Sequence, residues 1–285
     1  MLKIGLVDHH LNNYHSDVFL KILHNIIADE ECRIVAGYES NPSGEIDWCE
    51  KNNVPRFPSA EEVASNCDAV MVMAPDNIQS HRRFCEAVLP FKKPTFIDKH
   101  LAPQIADAKA IVELAKKYGT PIMSSSALAF AVELEQALSL IKEPVLEMFS
   151  RGFSNWDYYG VHTIAIALRV MGANFKRLID TGTEQTHFIT LDYGNARIAT
   201  IEVRTGENQQ EIFPWQFGIK VGSRYISDII KDYDGFYINL MKNACKFFKG
   251  GEAKYSVESA LATVTILENA VDSQKHGGIW IEAEP

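Results

Sequence analysis

The stretch that decides the fold is AVMVMAPDNIQSHRRFCEAVLPFKKPTFIDKHLA, residues 69–102. It opens with an unbroken apolar run that ends at Pro75, a pattern typical of a buried strand in a parallel sheet. A second strand is predicted at its end, in PTFIDK (94–99). Two such strands with a helical segment between them predict a βαβ unit, and ligands of parallel sheets bind at the carboxyl ends of the strands.

The same alternation extends in both directions and predicts two domains. Residues 1–125 are predicted to form an α/β domain, a Rossmann-like doubly wound parallel sheet. From about residue 145 longer alternating segments follow, so residues 126–285 are predicted to form an α+β domain with a mainly antiparallel open sheet, whose C-terminal helix can pack back on the first domain. The segments used are strands at 3–8, 32–39, 69–75, 94–99 and 121–126, helices at 16–27, 59–66, 102–119 and 256–274, and paired strands at 187–204 and 212–226.

Composition excludes several classes of partner. The net charge is −9 and the longest basic run is Lys92-Lys93, which argues against nucleic acid and anionic membranes. No apolar stretch approaches 18 residues. Five widely spaced cysteines without a C-x-x-C pair fit reduced thiols better than disulfides or a zinc site. We expect a cytoplasmic protein that acts on a small molecule.

The loop after the first strand, VDHHLNNYHSD (7–17), is unusual for such a sheet. A dinucleotide-binding fold normally carries glycines here, so that backbone can approach a diphosphate at the helix N-terminus. Asp8, His10 and Asn13 stand on or near these positions; Asp8 would place a carboxylate near the diphosphate, and Asn13 could hold a left-handed turn. The alternatives are a variant nucleotide loop or a metal site of Asp8, His10 and His15.

Three blocks of sequence resemble the Gfo/Idh/MocA family of sugar and polyol oxidoreductases. The first block contains Pro75, His81 and Asp98-Lys99-His100. The second is GVHTIAIALRVMG (160–172), with His162. The third is the C-terminal segment SVESALATVTILENAVDSQKHGGIWIE (256–282). Together they span nearly the whole chain in the family's order.

The resemblance implies NAD or NADP as cofactor and hydride transfer to or from a sugar, polyol or related hydroxy compound. It makes Lys99 the donor to the reacting oxygen and His162 the proton acceptor. Glu39 ends the second strand, where a carboxylate accepts hydrogen bonds from the adenosine ribose and favours NAD over NADP. The expected cofactor-binding residues are Asp8, His10, Asn13, Glu39, Pro75, His81 and Asp98; the expected substrate-binding residues are Lys99, Trp156, Asp157, Tyr158 and His162.

The chain departs from the family at its catalytic positions as well. Tyr158 and Ala165 replace aspartates that flank the family histidine, with Asp157 one position away, and His100 replaces a proline and adds a titratable group. The missing glycines and aspartates favour a second hypothesis, a sugar-binding or regulatory protein without cofactor chemistry. A third is a metal-assisted lyase or hydrolase using Asp8, His10 and His15. Under each hypothesis the open sheet of the second domain predicts a homodimer or homotetramer.

Overall fold

The structure is a computed structural model that describes residues 1–42, 47–206 and 213–283. Its chain divides into two compact units. The first contains residues 1–125 and 237–261, and the second contains residues 126–236 and 262–285. No helix in the described residues is long and apolar enough to cross a membrane.

The sheet of the first unit confirms the predicted Rossmann-like fold. It has five parallel strands in the order β2-β1-β3-β4-β5, so the strand order reverses between β1 and β3. Such a reversal is the point at which an open parallel sheet binds its ligand. The strands are β1 (Leu2–Asp8), β2 (Cys32–Glu39), β3 (Ala69–Val72), β4 (Thr95–Ile97) and β5 (Ile122–Ser124).

Local sequence signals explain where several helices of this unit begin and end. The Ser59 hydroxyl accepts a hydrogen bond from the Glu62 N–H at 3.2 Å and starts α3. Gly119 ends α5 in the left-handed conformation, at a φ of 67°. The helices are α1 (Tyr14–Lys21), which continues as a π-helix at Ile22–Ile26, α2 (Trp48–Lys51), α3 (Ala60–Asn66), α4 (His81–Val88) and α5 (Ile105–Tyr118).

The second unit is built on a seven-stranded sheet, which confirms the predicted mainly antiparallel α+β domain. Its strand order is β11-β10-β6-β9-β8-β7-β12, and only the β6–β9 pairing is parallel among the described strands. The strands are β6 (Val145–Phe153), β7 (Arg177–Asp180), β8 (Thr186–Gly194), β9 (Arg197–Arg204), β10 (Gln216–Val221), β11 (Arg224–Ile229) and β12 (Ile281–Glu282).

Helix α7 contacts β6 and β9 and covers one face of this sheet. Inward-facing residues such as Met148, Ile201 and Phe217 are fully buried there. Their burial supplies the hydrophobic stabilisation of this layer, since each buried aliphatic or aromatic side chain contributes about 1.5–3 kcal/mol. The remaining helices are α6 (Val132–Ser139), α7 (Trp156–Met171), α8 (Gly235–Phe248) and α9 (Val257–Lys275). Helices α8 and α9 each have residues in both units.

Candidate cofactor and catalytic sites

Asp8 lies at the end of β1 and organises the loop that follows it. Its carboxylate accepts hydrogen bonds from the backbone N–H of His10 at 3.1 Å, from that of Ala74 at 3.0 Å and from the Asn13 side chain at 2.9 Å. The side chain is only 1% exposed, and burial raises the pKa of the Asp8 carboxyl to about 7. Asp8 therefore accepts hydrogen bonds from backbone N–H groups, the kind of donor that a glycine-rich loop would offer to a diphosphate.

Asn13 caps helix α1 rather than forming the left-handed turn expected from its position. Its φ is −140°, and its side-chain oxygen accepts from the Ser16 N–H at 3.0 Å. The expectation of a left-handed turn is wrong because an extended N-cap satisfies a free N–H of the first turn. The neighbouring His10 ring bonds to the Asn41 carbonyl, which ties the loop after β1 to the segment after β2.

Glu39 ends β2, and both of its carboxylate oxygens have protein partners. One accepts from the Leu11 N–H at 2.8 Å, and the other from the Arg56 guanidinium at 2.5 Å. Its side chain is 2% exposed. Contact between Glu39 and a ribose stays a prediction, and the negative charge of Glu39 is offset by Arg56.

Pro75 and His81 belong to the segment after β3, and both are buried. The His81 ring is 0% exposed; its Nε2 lies 2.6 Å from the Met73 carbonyl and its Nδ1 lies 3.2 Å from the Leu101 carbonyl. Burial lowers the pKa of His81, so a neutral ring donates to one of the two carbonyls. His81 therefore holds the segments that follow β3 and β4 in place instead of reaching a ligand itself.

Asp98 and Lys99 follow β4 directly. Asp98 is buried and lies 2.5 Å from His15 Nδ1, and it also accepts from the Lys99 N–H at 2.8 Å. Burial would raise the pKa of Asp98, but the adjacent His15 ring holds it below its usual value. Asp98 thus links α1 to the segment that carries Lys99, whose side chain is partly exposed.

His100 does not provide the titratable group expected beside Lys99. Its ring is buried, and burial lowers its pKa to about 3. A ring with this pKa is neutral throughout the physiological range. The Lys99–His100 peptide bond is cis.

The metal hypothesis finds no support in the described residues. Within them no three His, Cys, Asp or Glu side chains form a group that could hold a metal ion. Asp8 faces N–H donors and His15 faces Asp98, so the expected ligands point to different partners. The described residues therefore do not favour the hypothesis of a metal-assisted lyase or hydrolase built on Asp8, His10 and His15.

His162 lies on α7 in the second unit, and its Nδ1 is 2.7 Å from the Ser126 hydroxyl. The rings of Tyr159 and Trp215 stand edge-on to it, with centroids at 5.4 and 5.7 Å. Sequence analysis did not identify Ser126, which precedes His162 by 36 positions. The serine run at residues 124–126 was the available signal, since polar side chains directly after β5 need partners.

Trp156 is a core residue, which corrects its prediction as part of a substrate wall. It is 6% exposed, its Nε1 donates to the Leu267 carbonyl at 3.0 Å, and its ring stacks on His187 at 4.0 Å. Asp157 and Tyr158 are exposed in the first turn of α7. Of the three candidate residues before His162, these two have side chains open to solvent.

A known family model matches the N-terminal part of the chain. Residues 9–126 match the Gfo/Idh/MocA family model, described as an oxidoreductase family with an NAD-binding Rossmann fold. No curated protein sequence matches the chain.

Solved structures share the whole fold. An oxidoreductase from Agrobacterium radiobacter in complex with NAD⁺, L-tartaric acid and magnesium is 17% identical, with a TM-score of 0.75 and coverage of 99% of this chain and 98% of that one. The myo-inositol 2-dehydrogenase from Lactobacillus plantarum is 12% identical, with a TM-score of 0.77 and 99% coverage of both chains. GenD2 from gentamicin A biosynthesis, in complex with NAD, is 12% identical, with a TM-score of 0.78 and coverage of 100% and 97%.

Proposed function

We propose that the chain is an NAD(P)-dependent dehydrogenase or reductase of the Gfo/Idh/MocA type, since residues 9–126 match the model of that oxidoreductase family. Its substrate is a sugar, polyol or related hydroxy compound. The observation that carries the proposal is the composition of the carboxyl edge of the first sheet. Strands β1 and β2 end in Asp8 and Glu39 at this edge. The segment with Pro75 follows β3, and Asp98-Lys99 follows β4. Dinucleotides bind at this edge of Rossmann folds.

The glycines are missing and Asp8 accepts N–H donors of the loop, but two features of this edge suit a dinucleotide. Helix α1 begins directly after the loop that follows β1, and in Rossmann folds the N-terminus of this helix receives the diphosphate. Burial raises the pKa of the Asp8 carboxyl to about 7, so its negative charge near a diphosphate is reduced at neutral pH. The bound nicotinamide would supply the hydride acceptor.

Lys99 and His162 have the chemistry that alcohol oxidation needs. The Lys99 ammonium donates a hydrogen bond to the substrate oxygen and stabilises its negative charge. The Nε2 of His162 accepts the hydroxyl proton, which requires that Nδ1 carries a hydrogen and donates it to Ser126 Oγ at 2.7 Å. A serine hydroxyl has the lone pairs to accept this bond, so Ser126 holds the ring in the basic tautomer.

The substrate class rests on the relatives and on two exposed side chains. One similar structure is a myo-inositol 2-dehydrogenase and another contains L-tartaric acid. Both myo-inositol and tartaric acid carry more than one hydroxyl group. Asp157 and Tyr158 are exposed near His162 on α7 and offer a carboxylate and a phenol to such groups. We assign these two residues, with Lys99 and His162, to substrate binding.

The first test is binding of NAD, NADH, NADP and NADPH, followed by thermal unfolding. A nucleotide at a hundredfold excess over its Kd adds about 2.7 kcal/mol of stability and raises Tm by about 2–4 °C for a chain of this size. A screen of polyols and sugars with the nucleotide that binds then follows nicotinamide absorbance. If none of the four nucleotides binds, the proposal fails, and the sugar-binding or regulatory hypothesis replaces it.

We propose in addition that two copies of the chain pair through the face of the second sheet that lies opposite α7. Strand register places the exposed side chains of Phe188, Ile198, Tyr225 and Ile229 on this face, opposite α7. An exposed apolar patch of this kind is typical of a protein interface. The measured mass in solution should be that of a dimer or tetramer, and Ile198→Glu should shift it towards the monomer. A monomeric wild-type protein would contradict the proposal.

A cytoplasmic location is proposed on the state of the cysteines. All five are free and buried. Free thiols of this kind are usual where the environment is reducing. Cell fractionation tests this, and recovery in an oxidising compartment would contradict it.

A further inference from the structure

Three polar side chains meet beside the end of β2. Ser40 is the first residue after β2, His9 is the first after β1, and Arg83 lies on the first turn of α4. The Arg83 guanidinium donates to Ser40 Oγ at 2.9 Å, and His9 Nδ1 lies 2.9 Å from the same oxygen. The three side chains are called the Ser40 cluster below.

The Ser40 cluster is positively charged and open to solvent. Arg83 is exposed, and in the part of the chain that the structure describes it forms no ion pair with a carboxylate. Its neighbour Arg82, by contrast, pairs with Glu86 at 3.1 Å and Asp107 at 2.8 Å. Burial, together with the nearby charges of His10 and Arg83, lowers the pKa of His9, which agrees with a positive potential at this place.

Glu39, the acidic residue that ends β2, does not offset this charge. The oxygens of Glu39 are occupied by Leu11 N–H and by Arg56, which also pairs with Asp47. Because the Glu39 side chain is only 2% exposed, a ribose at this place would meet Ser40 and Arg83 before the carboxylate. The sequence argument that Glu39 selects NAD therefore loses its physical basis.

Given the proposed oxidoreductase function, we propose that the Ser40 cluster binds the 2′-phosphate of NADP and makes NADP(H) the preferred cofactor. The adenosine ribose of a dinucleotide lies at the end of the second strand of a Rossmann sheet, and an arginine there accommodates a 2′-phosphate. A guanidinium matches phosphate oxygens with two parallel N–H donors. Arg83 has further N–H groups besides the one that Ser40 accepts, and the hydroxyl of Ser40 can donate to a third oxygen.

Fluorescence titration of the full chain with NADPH and NADH measures both Kd values directly. The wild-type protein should bind NADPH at least about tenfold more tightly than NADH, which corresponds to one charge-assisted phosphate contact. Arg83→Gln should raise the Kd for NADPH by about 10- to 100-fold and leave that for NADH within about threefold. Ser40→Ala should raise only the NADPH value, by a smaller factor.

Arg82→Gln is the matched control, since it removes the same charge from the same helix turn. It should leave both Kd values within about twofold because Arg82 is held by two carboxylates. Thermal unfolding of each variant verifies the fold.

Equal weakening of NADH and NADPH binding by Arg83→Gln overturns the proposal, since it would mean that Arg83 contacts the adenine or the diphosphate. Tighter wild-type binding of NADH also overturns it and leaves the oxidoreductase proposal standing. Failure of both nucleotides to bind removes both proposals.

Discussion

His15 and His162 are both bonded through Nδ1, but to opposite kinds of partner. In the first unit His15 lies 2.5 Å from the Asp98 carboxylate. In the second unit His162 lies 2.7 Å from the Ser126 hydroxyl. A carboxylate stabilises an imidazolium, whereas a hydroxyl orients the ring without adding charge. The difference teaches that a histidine bonded to a carboxylate serves here as a structural link, and that the proposed proton acceptor is oriented by a neutral group.

Replacing His162 should have the largest effect on kcat. An unchanged kcat would contradict the role of His162 as proton acceptor. His162→Gln should lower kcat by about 100- to 10,000-fold, because general base catalysis contributes that much. The matched variant is His187→Gln, which removes a buried histidine bonded to Asp180 at 2.6 Å in the same unit. It should lower Tm and leave kcat unchanged. Similar losses of kcat in both variants would contradict the inference that a histidine bonded to a carboxylate has a structural role.

Asp8 carries the next largest effect, on stability. Its folded pKa is about 7 and its reference value is 3.8, so the folded chain binds more protons than the unfolded chain between these pH values. The free energy of unfolding should therefore fall as pH rises from about 4 to 7, by about 4 kcal/mol from this group. Above pH 7 its contribution should be constant.

Urea unfolding of Asp8→Asn over this pH range measures that contribution. The stability of the wild type relative to the variant should decline towards pH 7, because asparagine has no proton to lose. Asp76→Asn, at an exposed position, is the control for the loss of one carboxylate. A constant difference for Asp8→Asn would mean that Asp8 is ionised in the folded protein at low pH.

Replacing Ser126 should have the smallest effect on catalysis, and it tests directly how the partner of His162 affects that residue. Ser126→Ala should lower kcat/KM by about 3- to 10-fold, the cost of one neutral hydrogen bond. Ser126→Asp would give His162 the same kind of partner as His15, and the acid limb of the kcat/KM profile should move to higher pH because the carboxylate stabilises the protonated ring. An unmoved acid limb would show that His162 is not the group that titrates there.

The fold could be predicted because its signals are local. The strand β2 was predicted at its observed bounds from β-branched composition, and Ser59 and Gly119 each mark a helix end by one side chain or one φ angle. Helix α8 was not predicted, although Phe236, Leu240, Ala244 and Phe247 recur at helical spacing. This spacing is a local sequence signal for the helix.

The candidate site was predicted less well because its properties depend on contacts distant in sequence. Ser126 and His162 are 36 positions apart, and Asp8 receives the Ala74 N–H from 66 positions away. An aromatic residue such as Trp156 has the same sequence signature in a core as in a ligand wall, and its burial and its contacts in the folded chain assign it to the core. Burial and pairing of charges appear only when the strands are assembled.

The return of residues 237–261 to the first unit has a consequence for how the protein is made. Tyr237 packs edge-on against His15 and Phe19, and the Lys249 ammonium pairs with Glu30 at 3.0 Å. On the ribosome residues 1–125 emerge long before these partners exist, so the first unit cannot be completed until most of the chain has been translated. Its two segments must find each other after the whole intervening sheet has been synthesised, and cutting the gene after codon 125 would yield an unfinished unit.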